Sequence, residues 1–292
     1  FYDFIKLLGK DVIVPRNALR KAFLLAPIVG LASVLIIPIF IPMYQEAFIN
    51  STADIIVIIY LLTISAVMLV VGGSSPLAGI GASREVVTML AYELPMVMSI
   101  LAVCKKAGAF MGTNVSFSLL GIQGFQVVDG MGLFHITLIP AAIAFLMVIP
   151  AEVGVVPFDM AEAETEICEG PLVEYSGLYL ALYKLTSQIK AFIMSGLFVA
   201  LFLGGMGIHR FYLGYVKIGI VQLSLGVTGN ATLNIILNII LFLILTLVVM
   251  FISITLVRAI AGRFKINQGL KFFWTVPDVL SLISFLAITL AM

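Results

Sequence analysis

The chain has 292 residues, 62% of them hydrophobic and only 11% charged. A soluble domain is about half apolar and about a quarter charged, so this composition excludes a soluble globular protein. The net charge of +1 offers no bulk attraction for nucleic acid or for acidic substrates.

The N-terminal segment, residues 1–21, mixes apolar side chains with Lys6, Lys10, Arg16, Arg20 and Lys21, predicting an interfacial amphipathic helix followed by a loop. Apolar runs then recur at 24–43, 54–73, 86–104, 134–151, 176–204, 231–257 and 273–292. Each is close to the roughly 20 residues that a bilayer crossing needs. The predicted fold is all-α: a polytopic membrane helix bundle of about seven spans in this chain, plus the amphipathic N-terminal helix.

Lys and Arg mark the cytoplasmic side. They place the N-terminal segment inside, the 44–53 loop outside, Arg84 inside, and Arg258, Arg263, Lys265 and Lys271 inside. Two features strain the rule: Lys105 and Lys106 fall outside, and the 152–175 loop falls inside with no basic residue. A single crossing within 206–230 would invert the last loop, so that segment is expected either not to span or to cross an even number of times.

The 152–175 loop, EVGVVPFDMAEAETEICEGPLVEY, holds Glu152, Asp159, Glu162, Glu164, Glu166, Glu169 and Glu174, which is seven of the chain's 15 acids. Asp159, Glu162, Glu166 and Glu169 would share one face of a helix starting at Pro157 and stopping at Gly170-Pro171. Carboxylates crowded and desolvated in this way cannot all stay ionised, so protons could pass among them. The competing expectation is a solvated acidic loop that docks a basic partner.

Other charges lie within the apolar runs. Arg84 and Glu85 open the third span in GASREVVTMLAYELPM, and Glu93 sits two turns in. An ionisable group at that depth marks a functional site, unless it simply pairs with Arg84 for packing. Lys184 and Lys190 occupy the 176–204 run six residues apart, which points them in different directions. Lys184 is placed to counter the acidic loop or to snorkel. Asn230, Asn234 and Asn238 recur on one helix face, a pattern suited to interhelical hydrogen bonds.

No motif supports an active site within the chain. Cys104, Cys168, His135 and His209 are too scattered for a metal or haem site, and no nucleophile, phosphate or dinucleotide motif is present. This chain is therefore expected to bind no cofactor and to act as a non-catalytic subunit.

PFDMAEAETEICEGPLVEYSG (157–177) resembles the signature loop of the respiratory complex I subunit that forms the membrane heel of the quinone chamber. The same subunit recurs in energy-converting membrane-bound NiFe hydrogenases and formate hydrogenlyases. GASREVVTMLAYELPM (81–96) resembles that family's second signature around Tyr92-Glu93, and FYDFIKLLGKDVIVP (1–15) resembles its amphipathic segment after the first transmembrane helix. The resemblance covers nearly the whole chain as one membrane domain. The family has eight spans, which implies one further helix upstream of Phe1.

The resemblance implies a proton relay of Glu93, Asp159, Glu162, Glu164, Glu166, Glu169, Glu174, Lys184 and Lys190. It implies that Arg84, Glu85, Tyr92 and Tyr175 face the redox arm or its cavity. EYSGLYLALYKLTSQIK, with its two lysines, resembles the hydrogenase branch, and EVGVVPFD lacks the ETNRAPFD form typical of quinone enzymes; Ser187 stands where many relatives of both branches carry Glu. The branch implies hydrogenase large and small subunits, an iron–sulfur subunit and antiporter-like membrane subunits as partners, in the cell membrane. The NiFe site and iron–sulfur clusters would lie in those partners. A quinone-chamber subunit and a stand-alone secondary transporter are the alternative expectations, the latter without the internal repeat it would need. Residues 204–226 depart from the family: GGMGIHRFYLG resembles a short two-helix TM2-type module, read as an insertion.

Overall fold

A computed structural model describes residues 2–16, 18–41, 53–73, 78–168, 170–204 and 231–291. Among them the regular structure is entirely helical. Helix α1 (Tyr2–Leu8) precedes α2 (Arg20–Ile36), which tightens into a 3₁₀ turn through Ile39. Then come α3 (Asp54–Gly72), α4 (Gly79–Met111), α5 (Leu119–Asp129) and α6 (Ile139–Val153). The acidic loop contains the single turn α7 (Glu164–Ile167). Helix α8 (Gly177–Phe198) widens into a π-helical end at Val199–Leu203. Helix α9 (Ala231–Met250) runs through a π segment to Ile260, and α10 (Ile266–Thr275) and α11 (Pro277–Leu290) follow.

Six helical stretches are long and apolar enough to cross a membrane, and α6 is a shorter apolar helix. At 1.5 Å per residue α6 covers about 22 Å, less than the roughly 30 Å hydrocarbon core. The predicted span 134–151 is thus trimmed, because a 3₁₀ turn (Gly132–Phe134) and Pro140 near the helix start fix where α6 begins. Large apolar side chains such as Leu25, Tyr60, Leu90, Leu247 and Leu286 face outward. That surface suits lipid, and the chain is a multi-pass membrane protein.

Helix α4 is the axis of the bundle, packing against α3, α6, α10 and α11, while α2 packs on α3 and α8. Lys105, on the nominal outer side, reaches α11, donating to the Thr289 hydroxyl at 3.1 Å and lying over the Phe285 ring. Asn238 is buried in α9. Asn230, the side chain of Asn234, and the anomalous stretch beyond Gly204 lie outside the described residues.

Two further expectations are corrected. The basic stretch after α9 is not all loop: α10 forms from Ile266, because Phe272 and Phe273 join an aromatic cluster with Phe158 and Phe264. Nor does the 157–170 segment form one helix. It turns at Val155–Phe158 and Asp159–Glu162, makes the single turn α7, and reverses at Cys168 and Gly170, both with positive φ. Phe158, Met160, Ala161 and Ala163 are all buried, a spacing that no single helix face can satisfy.

Candidate functional site

The acidic loop is fixed to the bundle by backbone packing and by ion pairs. A Cβ on Gly81 of α4 would lie 2.5 Å from the Gly170 backbone, so loop and helix touch main chain to main chain. A Cβ on Gly170 would strike the Ala161 carbonyl, and its φ of +55° favours glycine independently. Phe264 N–H donates to the Pro157 carbonyl at 3.0 Å, joining the acidic loop to the basic one.

Arg263 then grips Asp159: its Nε donates at 2.9 and 3.0 Å to the two carboxylate oxygens, and its Nη2 donates at 2.5 Å. Arg84 takes Glu166 at 2.6 Å and also reaches the Met160 carbonyl. The two ion pairs bring the acidic loop, the start of α4 and the loop after α9 to one face. This explains how an acidic loop can lie on the side where positive charge accumulates: its counter-charges come from elsewhere in the chain.

Beneath the loop is a cavity of about 380 Å³, with Glu85, Glu152, Asp159, Glu162, Lys184 and Lys190 in its wall. Its deepest feature is a buried ion pair, Lys190 Nζ to Glu152 Oε1 at 2.7 Å, with side chains 8% and 3% exposed. Glu85 is half-buried and interacts electrostatically with both partners. One lysine cannot neutralise two carboxylates, so this trio is left with one negative charge unless it takes up a proton. Tyr92 is fully buried, with Phe273 edge-on to its ring, and is electrostatically coupled to Glu152, Glu85 and Glu93.

The predicted residues are only partly brought together. Asp159, Glu162, Lys184, Lys190 and Glu85 share the cavity; Lys184 and Lys190 open onto the same space, contrary to the expectation that they diverge. Glu166 sits half in solvent on Arg84, and among the described residues Arg84 pairs with Glu166 and not with Glu93. Glu93 instead accepts a hydrogen bond of 2.9 Å from Thr63, in a separate and mostly apolar pocket of about 330 Å³ between α3 and α4. Glu174 is half-buried beside Tyr175. The Glu164 side chain and Glu169 lie outside the described residues.

Tyr175 turns away from the cavity. Its hydroxyl donates to the Phe23 carbonyl at 3.0 Å, its ring stacks on Phe23 at 4.0 Å, and Tyr183 meets it edge-on. Burial pushes its phenol up to about 12; the Tyr183 hydrogen bond opposes the shift and Glu174 adds to it. Its place is in the seam that ties the loop to α2.

The sequence counts Glu152 among the loop's acids and Arg263 among the inside cations, but sequence reasoning gave neither a role in the site. Glu152 closes an otherwise apolar helix just before Gly154, and an acid in such a run was the available signal. Arg263 was detectable only by matching the basic loop to the acidic one. Ser187 donates to the Val153 carbonyl at 3.1 Å beside the cavity, where a carboxylate would have added charge. Among the described residues, no three His, Cys, Asp or Glu side chains converge as a metal site.

Comparison with known proteins follows the same lines. Residues 1–289 match the family described as NADH dehydrogenase. An NADH-quinone oxidoreductase subunit of Burkholderia ambifaria is 30% identical over 234 residues, 77% of this chain and 64% of that protein. The chain thus spans somewhat under two thirds of that relative's length. The corresponding protein of Paraburkholderia phymatum is 28% identical over 280 residues, 94% of this chain and 73% of the other. A chain of the membrane-bound sulfane sulfur reductase, an archaeal respiratory membrane complex, superposes with a TM-score of 0.79 at 27% identity. That superposition covers 98% of this chain and 85% of the other.

Proposed function

The chain belongs to the NADH dehydrogenase family, and from that premise we propose that it is the membrane-anchoring, proton-relaying subunit of an ion-translocating respiratory complex of the NiFe-hydrogenase type. The observation that carries the relay is the cavity under the acidic loop, where Glu85 and Glu152 share Lys190. Electron transfer in a peripheral arm seated on the loop would change the field at this trio. A proton would then enter or leave one carboxyl while Lys190 stays with the other. Asp159 and Glu166, held by Arg263 and Arg84, keep the entrance in place. Tyr92 is electrostatically coupled both to the trio and to Glu93, which opens on the α3–α4 side and would hand charge to antiporter-like neighbours.

The hydrogenase assignment rests on the sequence of α8, where Lys184 and Lys190 both face the cavity. The NiFe site and iron–sulfur clusters would be carried by hydrogenase-type large, small and iron–sulfur subunits. The test is purification of the intact complex with its neighbours identified by mass spectrometry. Hydrogenase subunits with hydrogen evolution support the reading, whereas quinone-dependent or sulfane-sulfur-dependent turnover replaces it with another electron acceptor. Glu85→Gln, Glu93→Gln and Glu166→Gln are expected to slow or uncouple turnover in complexes that still assemble. Normal pumping in all three would refute the relay.

A further inference from the structure

The inner face carries two kinds of cation. Arg84, Arg263 and Lys190 are each matched by a carboxylate. Lys6, Lys10, Arg16, Arg20 and Lys21 are all exposed, and among the described residues none forms an ion pair. Between them, large apolar side chains also stand in the open, Ile5 at 61%, Ile13 at 68% and Leu19 at 72% exposure. Apolar groups left in water beside unpaired positive charge are unfavourable on a free surface. They are complementary to a leaflet boundary, where acyl chains meet phosphates.

The same segment is attached to the end of the acidic loop. Ile13 N–H donates to the Ser176 hydroxyl at 3.0 Å, and that hydroxyl donates to the Asp11 carbonyl at 3.2 Å. Gly177, with φ of +59°, lies so close to the Lys10 carbonyl that a Cβ would come within 2.6 Å of it. Helix α1 packs on α8, the helix that carries Lys184 and Lys190.

We propose that Lys6, Lys10, Arg16, Arg20 and Lys21, with Ile5, Ile13 and Leu19, form a binding surface for anionic phospholipid of the inner leaflet, and that lipid seated there holds the end of the acidic loop in place. The proposal stands on charge, exposure and the Ser176 and Gly177 contacts, whichever electron acceptor the complex uses. A protein partner fits less well, because the cations alternate with acyl-compatible side chains and adjoin the start of a spanning helix.

The intact complex is reconstituted in nanodiscs of equal parts phosphatidylcholine and phosphatidylglycerol, and retained lipids are counted by native mass spectrometry. The wild type is expected to retain phosphatidylglycerol in preference. The combined variant Lys6→Gln, Lys10→Gln, Arg16→Gln, Arg20→Gln and Lys21→Gln is expected to lose that preference. The pairs Lys6→Gln/Lys10→Gln and Arg20→Gln/Lys21→Gln give graded losses, about five-fold for each cation removed, and remain informative should the combined variant not assemble. Hydrogen exchange over residues 172–177 is expected to be slower in the mixed discs than in phosphatidylcholine alone. Equal retention of both lipids by the wild type overturns the proposal. So does an unchanged preference in the variants, or a variant that keeps its lipids and sheds peripheral subunits; lipid-independent exchange at 172–177 overturns the link to the loop.

Discussion

Lys190 and Glu152 offer the sharpest test of how the cavity is built. With side chains 8% and 3% exposed and charged atoms 2.7 Å apart, little solvent screens the pair. Removing one partner from such a pair leaves a charge without compensation and costs on the order of 3–5 kcal/mol. The structure makes the two removals unequal. Lys190→Met leaves Glu85 and Glu152 facing one another with no cation between them. Glu152→Gln leaves Lys190 with Glu85 as a substitute partner in the same cavity wall. Lys190→Met is therefore expected to take the full cost and Glu152→Gln the smaller share. The double variant Lys190→Met/Glu152→Gln should recover part of the loss, because it removes the Lys–Glu attraction together with its desolvation. The assay is thermal unfolding of the complex in detergent, with all four proteins compared at one pH and ionic strength. Single costs that are equal and simply add in the double variant would refute the argument, since independent surface charges behave that way.

Three further outcomes follow from the loop's attachments. Arg263→Ala leaves Asp159, itself only 11% exposed, without its clamp; the expected loss is about 1.5–3 kcal/mol, read as faster hydrogen exchange over residues 156–168. Gly81→Ala forces a methyl group into the Gly170 backbone, and overpacking of this kind costs about 1–3 kcal/mol. Protease cleavage within 164–168 should then become easier, while unchanged cleavage would show that loop and helix do not meet there. Tyr175→Phe gives up the hydrogen bond to Phe23, about 1 kcal/mol. The folded phenol lies at about 12, above its unfolded value near 10. The folded state therefore holds the proton more tightly, its contribution is complete below pH 10, and it is lost as pH rises from 10 to 12. The wild type should weaken more steeply than Tyr175→Phe across that window, and parallel profiles would dissociate Tyr175 from the seam.

The spanning helices were legible because each buries its apolar length in lipid, and that demand is written locally as an uninterrupted run. The site was legible in composition but not in geometry. Seven acids between two apolar runs mark a place; they do not say which cations they meet, because Arg84 is 82 residues from Glu166 and Arg263 is 104 residues from Asp159. Helical periodicity misled at Asp159, Glu162 and Glu166 for a definite reason. The residues between them, Met160, Ala161 and Ala163, are buried as deeply as a core, so the chain turns to bury them, and Asp159 goes to Arg263 while Glu166 goes to Arg84. Glu152 was obscured by the opposite circumstance, a single acid at the end of an apolar helix that reads as the edge of the loop until Lys190 is seen across from it. Charge in this protein is therefore placed by pairing across the fold: had the 152–175 loop carried its own lysines, its carboxylates could have paired locally, and only its buried apolar side chains and the Gly81–Gly170 contact would have held it over the cavity where Glu85 stands beside the buried pair.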